Sequence, residues 1–94
     1  MKTIIKVQFE LVEVITFPDH SDMEFGKFYY SKEYSTSVHL CACGCGSEIV
    51  IPINQFSWSI SIVNSKFSIR PSILVNSDCK SHYVIQNSIA NILT

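Results

Sequence analysis

Charge is what this sequence has least of. Only 16% of its 94 residues are charged, seven basic against eight acidic, for a net charge of −1. The basic side chains are scattered, so the positive stripe that nucleic acid or an anionic membrane would demand is missing. Long apolar runs are missing too. Lys6, Glu10 and Glu13 interrupt "MKTIIKVQFELVEVITF", so a signal peptide is not expected there. No window reaches the ~18 uncharged apolar residues of a membrane helix. The expected compartment is therefore the cytoplasm, where thiols stay reduced. There is no internal repeat, linker or low-complexity segment. With 47% hydrophobic residues, the chain reads as one folded domain spanning residues 1–94. A domain of this size buries only about 60–65% of its unfolded surface, so an extra staple would matter.

What is there is mostly strand-like. Ile5, Val7, Phe9 and Leu11 alternate with Lys6, Gln8 and Glu10, the period of a half-buried strand. The phase flips at Val12 and Val14, which predicts a bulge or bend near Leu11–Val12. A helix carrying Lys6, Glu10 and Glu13 on one face is the rival, and the β-branched content favours the strand. "FPDHSDMEFG" reads as a loop. "KFYYS" and "YSTSVHL" read as a hairpin around "SKE", and "EIVIPI" as a strand that Pro52 restricts to an edge or an end. In "FSWSISIV", Phe56, Trp58, Ile60 and Ile62 alternate with serines, predicting one buried face. "NSK" turns into "FSIRPSILV", and "HYVIQ" with "SIANIL" forms a closing hairpin. The expected fold is mainly β: a small, single-domain, zinc-stapled antiparallel sheet or sandwich.

The zinc enters through cysteine. Cys41, Cys43 and Cys45 sit at alternate positions in "HLCACGCG", and "CKSH" supplies Cys79 and His82. Thiolates with an imidazole are the habitual ligands of zinc. Gly44 and Gly46 suit a chain bent tightly enough to aim successive thiols at one ion. Disulfides and inert buried thiols are the competing readings, and neither explains the glycines together with "CKSH". Five candidates compete for four places. One set is Cys43, Cys45, Cys79 and His82, and the other is Cys41, Cys43, Cys45 and Cys79, which leaves His82 free beside the metal. His39 reads as a packed or metal-supporting residue and His20 as a solvated one.

The run "HLCACGCG", then Trp58, then "SIRPSI", then "CKSHYVI" resembles a family of small bacterial zinc-binding domains. Its signature is H-x-C-P-C-G-C-G, a central Trp, P-S-I-G-N-W and C-x-S-H-Y/F-x-I. "MEFGKFYYS" extends the likeness upstream, to about three quarters of the chain. Ala42 stands where the family usually has Pro, and "PSI" continues into Leu74 and Val75 instead of Gly-Asn-Trp. The resemblance implies a zinc site and a genomic setting beside ubiquitin-like conjugation genes, hence protein partners: a ubiquitin-like protein or its E1-like and E2-like enzymes.

Two functions follow. The first is a zinc-stabilised accessory or interaction module, in which four protein ligands saturate the ion and a surface such as Phe28, Tyr29, Tyr30 and Tyr34 binds a partner. A core role for those aromatics is an equal alternative. The second is a hydrolase, a peptidase that processes or removes a ubiquitin-like tag. Its zinc would keep an open coordination position beside a base, Glu48 or a non-ligating His82; without metal catalysis, a nucleophile such as Ser72 or Ser81 would pair with His82. No third, orienting acid stands at a recognisable spacing.

Overall fold

The computed structural model describes residues 4–54, 57–75 and 79–93. The chain opens with β1 (Ile4–Gln8) and β2 (Glu10–Glu13), then a loop with one 3-10 turn at His20–Asp22. The hairpin β3 (Lys27–Ser31) and β4 (Thr36–Leu40) follows, then β5 (Glu48–Pro52) and the hairpin β6 (Ser59–Val63) and β7 (Lys66–Leu74). The closing hairpin is β8 (His82–Gln86) and β9 (Ile89–Leu93). These strands form a five-stranded sheet, β1-β9-β8-β7-β6, and a four-stranded sheet, β2-β3-β4-β5. The mainly β expectation holds. No helix among the described residues is long and apolar enough to cross a membrane.

The predicted strand through Leu11 is two strands, and the break falls at Phe9 rather than at Leu11–Val12. The reason is in the hydrogen bonds. Phe9 N–H donates to Ser88 O, in the β8–β9 turn, whereas Glu10 N–H donates to Gly26 O, just before β3. Consecutive amides therefore serve different sheets, and the chain crosses between them at a buried phenylalanine. Beyond the crossing, β2 runs parallel to β3, an exception to the antiparallel pairing expected. A long loop before β3 makes that possible, because parallel neighbours need a crossover where antiparallel ones need only a turn.

The hairpin turns follow their residues. Asn64–Ser65 and Asn87–Ser88 all have positive φ, the two-residue geometry that matches strand twist and that asparagine tolerates. Pro52 ends β5, and β5 is an edge strand, so its missing N–H costs no ladder bond. In β6 the alternation buries less than it predicts: Ile60 is half-buried, but Ile62 is 44% exposed. This edge strand presents little beyond Ile60 and the neighbouring Trp58 to the core. Phe56 lies outside the described residues.

Phe28, Ile51, Phe67, Ile69, Tyr83 and Ile85 fill the space between the sheets. Met23, Tyr29 and Val38 form a second cluster, packed with Val12, Val14 and Phe17. The aromatic run is thus core: Phe28, Tyr29 and Tyr30 are buried, one side facing the sandwich and the other facing loop residues, and only Tyr34 is exposed, at 62%.

Candidate functional site

Cys41 follows the last residue of β4, and its N–H donates to Ser47 O at 2.8 Å, closing a short loop around Cys43 and Cys45. Inside the loop Gly44 N–H donates to Cys41 O at 3.0 Å. Gly44 and Gly46 have φ of +89° and +85°, and a Cβ at either would meet nothing within 4 Å. The demand for glycine here is torsional, not steric. Cys79 arrives from the other sheet, in the β7–β8 connection, which Val75 N–H ties to Ser81 O at 2.8 Å. Three thiols thus come from one sheet and the fourth from the other.

The four Sγ atoms all lie within 4.8 Å of one another. Cys41 Sγ is 3.4 Å from Cys43 Sγ and 3.7 Å from Cys79 Sγ. These are not disulfides, since all four cysteines are free and a disulfide bond is only about 2.05 Å long. They are close to the separation of about 3.8 Å between thiolates set tetrahedrally at about 2.3 Å from a zinc ion. Burial pushes the Cys41 thiol up to about 12, so it ionises at neutral pH only beside a cation. Cys45 is shifted the other way, chiefly by its hydrogen bond with the Ser47 hydroxyl, 3.3 Å away. Ser81 Oγ–H donates to Cys79 Sγ at 3.5 Å. Four soft donors converging from two sheets fit a divalent thiophilic metal.

His82 is not part of this group. The strand period is the reason. Ser81 and Tyr83 are buried, while His82 and Val84 between and beyond them are half-buried on the opposite, outer face. A residue two places from Ser81 reaches the interior; its immediate neighbour does not. His39 is fully buried, with Nε2 2.6 Å from Tyr83 Oη and its ring stacked on Phe28 at 5.1 Å. Burial drives its pKa down to about 3, so it is a neutral core residue, and its Nδ1 has no hydrogen-bond partner among the described residues. His20 Nδ1 lies 3.3 Å from Glu48 Oε1 in an exposed pair. Neither of them joins the thiols.

The outer face around His82 holds a second constellation. In β7 the register jumps: Ile69 pairs with Ile85 and Ile73 with Tyr83. Arg70, Pro71 and Ser72 therefore share the space opposite Val84, a bulge of the kind that re-aims side chains. Trp58 Nε1–H donates to Ser72 O at 3.0 Å and pins the bulge from the side. Ser72 and Leu74 flank the inward Ile73 and face outward with His82. Leu74 is His82's direct cross-strand partner, which puts Ser72, two residues back at the end of the bulge and on the same face, on the diagonal from it. Asn91, half-buried and opposite Val84 on β9, takes the diagonal on the other side. Ser72 and Asn91 thus flank Val84, and each lies one diagonal from His82, on either side of β8. Asn91 carries no sequence signal, because its place depends on β8–β9 register alone.

Fold and site together define a small two-sheet β domain in which four thiols from the two sheets converge and His82 lies on the outer face. The chain belongs to the BubE family: the model described as "Bacterial ubiquitination-like system serine protease (BubE)" matches residues 14–93. No curated protein and no solved structure matches it.

Proposed function

We propose that this chain is a serine peptidase that cleaves a ubiquitin-like protein at its C-terminal tail, with Ser72 as nucleophile, His82 as general base and Asn91 orienting the imidazole. One observation carries the reading: the thiols converge without His82, whose imidazole is left on the outer face, one diagonal from Ser72. Cys41, Cys43, Cys45 and Cys79 hold zinc as a structural staple. Bound there, the ion would neutralise the thiolates and tie the sheets together. Four protein ligands leave no open position for water, so the chemistry falls to the serine face.

Ser72 Oγ attacks the scissile carbonyl carbon while His82 takes the hydroxyl proton. The proton passes to the leaving amine as the C–N bond breaks, and water, deprotonated by His82, hydrolyses the resulting ester. Ser81 is the weaker nucleophile, since its hydroxyl is turned inward onto Cys79 Sγ. The accessory-module reading keeps its staple but loses its aromatic surface, three of whose four rings are buried. The family description supports the peptidase.

The test uses the ubiquitin-like protein of the same system, fused through its tail to a reporter domain. Ser72→Ala and His82→Ala are each expected to cut the cleavage rate by roughly 10³-fold or more with thermal melting unchanged, while Ser81→Ala cleaves normally. Cleavage by Ser72→Ala at the parent rate would overturn the assignment.

A further inference from the structure

β7 is longer than the strand beside it. It runs from Lys66 to Leu74, but β6 pairs only with Lys66–Arg70. Before Ser59 the chain has already turned toward β5, through the bridge between Ile53 and Trp58. Among the described residues, the last of β7 thus have β8 on one side and no strand on the other. The hydrogen bonds fix which groups point where. Val75 N–H reaches Ser81 O, on the β8 side, and Ile73 shares that parity because backbone groups alternate sides along a strand. Ser72 and Leu74 have the opposite parity, and the Trp58 indole reaching Ser72 O from outside agrees with it. Trp58 satisfies the Ser72 carbonyl. Among the described residues nothing pairs with Leu74 N–H or C=O, and the Leu74 side chain is 66% exposed.

An open strand edge binds another strand. We infer that the Leu74 edge of β7 is the substrate-binding edge, on which one residue of an extended peptide, the C-terminal tail of the ubiquitin-like substrate, pairs through its own N–H and C=O. This rests on the peptidase reading above. It commits to an extended peptide because the ligand must offer a donor and an acceptor at backbone spacing, which a folded helix or loop surface does not. Recognition is through the main chain, so the leucine side chain is secondary. The pairing holds the tail two residues along β7 from the Ser72 hydroxyl, close enough for the next peptide groups of the tail to reach it. Trp58 caps the neighbouring carbonyl and so ends the docking edge on one side.

The experiment separates backbone from side chain. Leu74→Pro removes only an N–H that points away from β8, leaving the β7–β8 ladder whole; Leu74→Ala keeps the N–H and shortens the side chain. With the tail–reporter fusion as probe, Leu74→Pro is expected to lower kcat/KM at least tenfold, mainly through KM, while Leu74→Ala stays within about threefold. Circular dichroism and metal content check that Leu74→Pro is folded. In case it is not, the parent enzyme is assayed on tail peptides N-methylated at successive residues near the scissile bond. One position is expected to abolish cleavage while the others are tolerated. Uniform tolerance of N-methylation, or a folded Leu74→Pro with parent kinetics, overturns the inference while Ser72-dependent cleavage leaves the peptidase reading intact. Parent-rate cleavage by Ser72→Ala overturns both.

Discussion

Cys79→Ser is the perturbation that isolates the staple, because Cys79 is the one thiol the five-stranded sheet contributes to the cluster. Replacing it cuts the link between sheets, whereas Cys45→Ser leaves Cys41, Cys43 and Cys79 still spanning them. The magnitude follows from the chain enclosed. A cross-link between Cys45 and Cys79 closes a loop of about 34 residues, and such a closure stabilises by about 4 kcal/mol in the chain-entropy model. A 94-residue domain has about 5–14 kcal/mol of stability in all. Losing about 4 kcal/mol would lower Tm by roughly 15–30 °C for a domain of this size. The larger ~10–16 kcal/mol figures for zinc-finger peptides apply to chains with no fold of their own, and here two sheets already share a core. The assay is a thermal melt followed by circular dichroism, on metal-loaded and chelator-stripped protein, with elemental analysis before and after. About one zinc per parent chain is expected. Cys79→Ser should melt at the stripped temperature whether or not chelator is present, and Cys45→Ser should keep part of the chelator-sensitive stability. A stripped parent protein melting within about 5 °C of the loaded one would refute the staple.

Two further substitutions probe what supports the site. Tyr83→Phe removes the partner that His39 Nε2 has among the described residues and leaves a second nitrogen of that buried ring unpaired; a loss of about 1–3 kcal/mol in urea unfolding is expected, recovered in large part when His39→Leu is added, and unchanged stability would count against the pairing. Trp58→Phe removes the donor that holds the Ser72 carbonyl; tail cleavage should fall roughly tenfold through kcat with the metal content unaltered, and unchanged kcat would show that the bulge needs no pin.

What the sequence made legible is what depends on neighbours a few residues apart. The strand-forming runs at β3, β4, β7 and β8, the "NSK" turn and the position of Pro52 are all local, and each was readable before any pairing was known. The thiols were readable for a different reason: four cysteines in a chain expected to be reduced have few other uses. The missing information is non-local. Nothing between Ile5 and Leu11 states that Phe9 N–H will serve one sheet and Glu10 N–H the other. The parallel β2–β3 pairing depends on that crossing, and so does the burial of Tyr29 on what would otherwise be an outer face. At the site, "CKSH" looks like a ligand pair because Cys79 and His82 stand at metal-binding spacing. That spacing assumes a turn continuing through both, whereas β8 begins at His82 and strand alternation takes over there.

This boundary explains how, on the reading proposed above, one short segment would serve two sites. Cys79 lies in the connection and Ser81 is still turned toward the sulfur, so both belong to the staple. His82 opens the strand on the opposite face, in register with Leu74 and diagonal to Ser72. The position of the imidazole is therefore set by where β8 starts; the Val75–Ser81 hydrogen bond fixes that start, and a metal on Cys79 would reinforce it. Metal and base share no atom, yet a shift of one residue in the connection would turn the histidine inward and a core residue outward. On the reading proposed above, a structural ion would govern a serine peptidase without touching its substrate, by holding the register from which the base emerges.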